Sequence, residues 1–208
     1  GIDDQHIKEL LAGMVYGRND QNDTTEGLFN ILALTNALGP SMLDVNGNPV
    51  CVRTPGDLAT TIAGCVPLNL LGAVGSITPE MMNYSSFVAH DELGYRMKQY
   101  FANISGDIAE LPGGMLAFAA GVESRKENGF VQPDALIASG NTTGNAQTPT
   151  SGGFSVDEVY LELVIPLLRD VAGAQELEFN LASRYSDYDT FGDTVNSKFG
   201  FKWRPIDD

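Results

Sequence analysis

This chain has few of the residues that usually betray chemistry. Its 208 residues include two cysteines, two histidines and one tryptophan, with 12 basic side chains against 27 acidic ones. Two cysteines without a neighbouring histidine or a second cysteine pair fit a zinc site poorly, so neither a metal nor another cofactor is expected. His6 and His90 stand apart from any Ser, Cys or Asp arrangement that would form a triad, and each reads as a surface loop residue. The net charge of -15 argues against a nucleic-acid partner, because phosphate binding needs a basic patch. No apolar run is long enough for a transmembrane helix, but a transmembrane strand needs only about 9 to 11 residues and leaves a much weaker signal. Gly113-Gly114 and Gly152-Gly153 lack the strand-to-helix setting of a phosphate loop, and neither the Asp207-Asp208 tail nor the loop acids follow an EF-hand pattern. The start, Gly1-Ile2-Asp3-Asp4, has no Met, basic segment or signal-type apolar stretch, so a fragment is expected.

What is present is alternation. Leu116, Phe118, Ala120 and Val122 alternate with small residues that lead to Glu123 and Arg125. Val159, Leu161, Leu163 and Ile165 lie opposite Glu158, Tyr160 and Glu162. Leu177, Phe179, Leu181 and Tyr185 oppose Glu178, Asn180 and Arg184, while Val195, Phe199, Phe201 and Trp203 oppose Asn196, Lys198, Lys202 and Arg204. A side-chain period of two is the signature of a strand, and here each strand has one apolar face and one charged face.

A further strand covers Tyr95 to Leu111 and ends at the turn Pro112-Gly113-Gly114, and a poorly alternating one could rise from Leu10 within Ile7 to Gln21. Between them, Asp23-Thr24-Thr25-Glu26 resembles a capping box, which predicts a helix from about Thr24 to Leu38. Thr78 followed by Pro79 predicts a second helix to about Phe87. Residues 22–93 therefore read as one long, partly helical loop, and residues 94–208 as consecutive antiparallel strands. Within the loop, a Cys51–Cys65 disulfide would contribute about 3 kcal/mol in an oxidising compartment, with two buried free thiols as the alternative. Lys126 to Gly153 reads as a mobile loop, Leu167 to Gln175 as a shorter connection and Asp189 to Asp193 as a tight one. Long connections mostly on one side and short ones on the other are the habit of an up-and-down outer-membrane barrel.

In a bilayer only one face of these strands could meet lipid. Each basic residue turned to hydrocarbon near the midplane costs roughly 2 to 4 kcal/mol, and each acid somewhat less. The charged face must be the wet one, and Glu123, Glu158, Glu162, Arg184 and Lys198 are expected to form a ladder of opposite charges along it. Separate solvated charges are the plainer alternative. Phe179, Phe199, Phe201 and Trp203 would then be lipid-facing, with the last two suited to an interfacial aromatic girdle or, alternatively, to a core. Glu158 and Glu162 would stand about 13 Å apart along a strand, too far for a glycosidase pair, and no enzymatic activity is expected.

Four phrases in order resemble the barrel of TonB-dependent outer-membrane receptors: residues 121–127 (Gly-Val-Glu-Ser-Arg-Lys-Glu), 156–168 around Tyr160-Leu161-Glu162-Leu163, 182–188 (Ala-Ser-Arg-Tyr-Ser-Asp-Tyr) and 198–205 (Lys-Phe-Gly-Phe-Lys-Trp-Arg-Pro). The segments 65–69 and 75–81 resemble the extracellular loop of a subgroup linked to carbohydrate uptake. The resemblance implies a transmembrane barrel of about 22 strands, closed by a plug, in the outer membrane of a Gram-negative bacterium. Such a barrel takes up a scarce nutrient (a carbohydrate, siderophore or similar compound) with energy relayed by the TonB complex. Only about six strands and no plug are legible, so the chain is expected to be an internal piece whose partners are outer-membrane lipid, the remaining strands and the plug. Asn69, Asn83 and Tyr84 are candidate ligand contacts, with packing inside the loop as the alternative. A passive porin segment and a soluble carbohydrate-binding or hydrolytic β-sandwich are the rival readings.

Overall fold

The computed structural model describes residues 7–206. Gly1 to Asp4, His6 and the Asp207-Asp208 tail lie outside the described residues. Six long strands form one open, mostly antiparallel sheet: β1 (Ile7–Phe29), β4 (Ser86–Leu111), β5 (Gly114–Gln132), β6 (Thr150–Val171), β7 (Ala174–Tyr188) and β8 (Gly192–Arg204), adjacent in that order. Between β1 and β4 come helix α1 (Ile31–Ala37), the hairpin β2 (Ser41–Leu43) and β3 (Pro49–Cys51), a 3-10 turn at Leu58–Thr60 and helix α2 (Pro79–Ser85). A one-turn helix, α3 (Ala135–Ala138), interrupts the β5–β6 connection. The all-β expectation holds.

The chain divides into two compact units. One contains residues 20–94 and 130–151; the other contains residues 95–129 and 152–206 together with 7–19. The first has a small core of its own, made by Ala37, Cys51, Val52, Cys65, Ser85, Ala89, Ile137 and Thr142. Cys51 and Cys65 are disulfide-bonded with Cα atoms 5.8 Å apart, and Cys51 is completely buried. Among the described residues of the second unit few side chains are buried, Val156, Pro166, Ala174 and Ser186 among them, while Val195, Phe199, Phe201 and Trp203 are exposed. That part of the sheet leaves most of its large side chains uncovered.

Local chemistry explains where the elements depart from their expected bounds. The helix expected from Thr24 begins instead at Ile31, because Gly27 takes φ 79° and cannot belong to a helix. Asn30 supplies the cap, its side-chain oxygen accepting from the backbone N–H groups of Leu32 and Ala33 at 2.9 and 3.2 Å. Thr78 caps α2 as expected, with Pro79 in the first turn, but that helix stops at Ser85 rather than Phe87. Strand β4 then starts nine residues ahead of Tyr95, which places His90 in a strand and not in a loop. Residues 126–132, expected to be loop, continue β5; the connection is 133–149.

The β6–β7 connection shrinks to Ala172-Gly173 because β6 continues through a bulge between Pro166 and Leu168. The bulge shifts the register by one, so Arg169 rather than Leu168 pairs with Glu176 and the alternation changes phase. The β4–β5 turn passes over this bulge. A Cβ on Gly113 would lie 2.7 Å from backbone atoms of Pro166 and Leu168, too close for any side chain.

Replacing both cysteines (Cys51→Ala with Cys65→Ala) should destabilise the first unit by about 3 kcal/mol. Limited proteolysis should then cleave residues 52–64 much faster while the β6–β8 strands keep their protection.

Candidate functional site

The β6–β7–β8 register defines the rows of the charged face. Glu158 aligns with Ser186 and Thr194, Tyr160 with Arg184 and Asn196, Glu162 with Ala182 and Lys198, and Glu178 with Lys202. Residues directly opposite each other share a face, so these side chains rise from one surface. Arg184 approaches Glu158 diagonally at 3.5 Å and lies 5.3 Å from the Tyr160 ring, while Ser186 also donates to Glu158, whose side chain is 7% exposed. At the foot of the face Glu176 accepts from Lys202 at 2.8 Å and lies 3.5 Å from Arg204. Glu162 and Lys198 flank Ala182, so their backbones are two strand spacings apart, roughly 10 Å. Ala182 and Gly200 leave a hollow between them.

On the β4–β5 side, Glu123 and Glu127 both pair with Arg125, and the Tyr95 hydroxyl donates to Glu127 at 2.5 Å. Tyr160 donates to Asn103 at 3.0 Å, and both crowd the space above Gly121. A Cβ at Gly121 would fall 2.3 Å from the Asn103 oxygen and 2.5 Å from the Tyr160 ring. Among the described residues opposite charges meet at Lys8–Asp107, around Arg125, at Glu158–Arg184 and around Glu176.

Sequence reasoning missed an aromatic group beside the Arg125 cluster. Phe191, 69% exposed, stacks on Tyr188 with ring centroids 4.4 Å apart, and Phe154 lies 6.0 Å from Tyr188. The Arg125 guanidinium sits 5.6 Å from the Phe154 ring. The 189–191 turn that carries Phe191 is held by Asp189. Its two carboxylate oxygens each accept from Ser155, one from the backbone N–H and one from the hydroxyl, both at 2.9 Å. Those bonds hold the Asp189 carboxyl below the usual aspartate range. Aromatic faces beside paired charges and amides can bind polar solutes that have an apolar face, such as sugar rings. A Gly beside a Phe in a tight turn was the available signal, but nothing in the linear sequence brings Phe154 to it.

The candidate contacts Asn69, Asn83 and Tyr84 lie in the other unit. The Asn69 side-chain oxygen accepts from the Leu71 N–H at 3.1 Å, so it shapes its own turn. Asn83 is exposed and Tyr84 half-buried on α2, about 100° apart around the helix. What organises this unit is another set of residues. Asp91 accepts from the Asp134 N–H at 2.8 Å, and Asp134 accepts from His90 N–H at 3.3 Å while capping α3 at Leu136. The Thr143 hydroxyl accepts from the Phe29 N–H at 3.2 Å. Pro133-Asp134 before Ala-Leu-Ile-Ala was a legible helix start. Asp44, bonded by the backbone N–H groups of Asn48 and Asn46, and Glu80, bonded by Thr78, are likewise held below the carboxylate range.

Gly121→Val should displace Tyr160 and break its bond to Asn103, destabilising the sheet by about 1–3 kcal/mol; chemical denaturation would measure it. Because the folded-state pKa of Asp189 is depressed, the ordering it provides is complete above the ordinary aspartate value, about 3.9. It should be lost as pH falls through the lower folded value. NMR exchange of the Ser155 amide between neutral and acid pH checks this, and protection unchanged throughout would contradict it.

Comparison with known proteins finds no match for this chain among family models, curated proteins or solved structures.

Proposed function

We propose that this chain is a stretch of barrel wall from a TonB-dependent receptor in the outer membrane of a Gram-negative bacterium. Its charged face lines the lumen and its apolar face meets lipid. The observation that carries this reading is the uncovered apolar face: Val159, Leu161, Val195, Phe199, Phe201 and Trp203 are all exposed in a sheet with almost no buried core. In water each such side chain would forgo roughly 1.5–3 kcal/mol of burial, so this face needs an apolar neighbour along its whole length. The other face carries paired charges, which fits an aqueous lumen. The family and its energy source rest on the four ordered phrases of sequence. TonB acts through parts of the receptor beyond these strands, and further strands would pair the edges of β1 and β8, since an open edge is not viable in lipid.

In this reading the chain catalyses nothing. The disulfide unit is an external loop that helps to capture a nutrient.

Two experiments test the reading. Expression without detergent should give aggregates, with recovery into detergent micelles; a monodisperse soluble monomer would favour a β-sandwich instead. In the intact receptor, deleting residues 30–85 should weaken ligand binding while the barrel still inserts, as read by heat-modifiable migration on gels. Unchanged affinity would remove the loop from the binding role.

A further inference from the structure

The apolar face of β6, β7 and β8 is bounded. Read along the register, its successive rows are Asp157–Asp187–Asp193, Val159–Tyr185–Val195, Leu161–Ser183–Ser197, Leu163–Leu181–Phe199, Ile165–Phe179–Phe201 and Leu168–Leu177–Trp203. Three aligned acids, all exposed, close one end. At the other end Trp203 turns its only polar atom away from the apolar surroundings, with Nε1–H donating to the Gly173 carbonyl at 2.9 Å. The single polar row between them satisfies itself, since the Ser183 and Ser197 hydroxyls lie 3.1 Å apart. Water would make that pairing unnecessary; a medium without hydrogen-bonding groups makes it worth having.

From Asp193 to Trp203 is a rise of about 34 Å along the strand at the usual spacing. At the roughly 35–45° tilt of strands in membrane barrels that length projects to about 24–28 Å on the membrane normal, against an apolar band about 25 Å tall.

We infer that the occupant of this face is the hydrocarbon of a bilayer whose two boundaries lie at the Asp157–Asp187–Asp193 row and at the Trp203 row, with Phe199 and Leu181 near the midplane. This rests on the membrane reading above and adds the depth of each residue. Two like-charged neighbours directly opposite a third would be unfavourable in a low-dielectric medium, so the acids mark where water returns. The Tyr188–Phe191 stack then belongs to the aqueous rim, because Tyr188 follows Asp187 directly and Phe191 lies in the turn that links the two acidic ends.

The test is nitroxide scanning on the intact receptor in phospholipid vesicles, with Asp193→Cys, Val195→Cys, Phe199→Cys and Trp203→Cys, and Lys198→Cys as the opposite-face control. No free cysteine among the described residues competes for the label. Collision with oxygen relative to a water-soluble nickel complex should rise several-fold from 193 to 199 and fall again at 203, with 198 nickel-accessible. A label at 193 as oxygen-rich as one at 199, or a maximum at 203, would overturn the boundaries while leaving a membrane span intact. Labels at 195, 199 and 203 shielded from both reagents, or all open to nickel, would overturn the membrane reading itself.

Discussion

The side-chain period of two along laterally bonded strands is the constraint on which the rest of this structure depends. Once β6, β7 and β8 are locked in register, each residue is assigned to a face, and a one-residue slip would exchange every charge with every aromatic. The Glu158–Arg184 pair, the Glu176 cluster and the Tyr160–Asn103 bond exist because register brings them to the same surface. Where the chain inserts an extra residue, at the Pro166/Leu168 bulge, it does so at the end of the sheet. There Arg169 crosses to the charged side and joins Glu176.

The unit of residues 20–94 and 130–151 obeys a different rule. It has no long sheet face to exploit, so its stability comes from a few fully buried small side chains, a disulfide and carboxylates that cap or pin backbone N–H groups. Such a unit holds its shape through short-range bonds, which suits a surface that must present groups to solvent. The sheet, by contrast, leaves its large apolar side chains uncovered, and the proposed bilayer supplies the missing contact.

Much of the sheet was legible. In β6, β7 and β8 the contrast between faces is strong enough that alternation alone finds the strands. It failed in residues 126–132 and 86–94, where both faces are polar or mixed and period two leaves no trace. The capping-box reading of Thr24 failed because a local motif competed with strand pairing, and Gly27 with its positive φ decided the contest. Cys51 and Cys65 were a sound pair to suspect, since they are the only two cysteines in the chain. The Phe154–Tyr188–Phe191 group was not legible, because its members come from two strands and a turn that only pairing brings together.

By itself the sequence determined that this is a strand-built protein with one charged and one apolar face, because side-chain alternation is a property of each strand before it pairs. Only the tertiary structure decided which charges meet, where the bulge changes the phase, and that three aspartates fall in one row at the end of the apolar face. Those are facts of register, and register is set by hydrogen bonds between strands rather than by any strand alone.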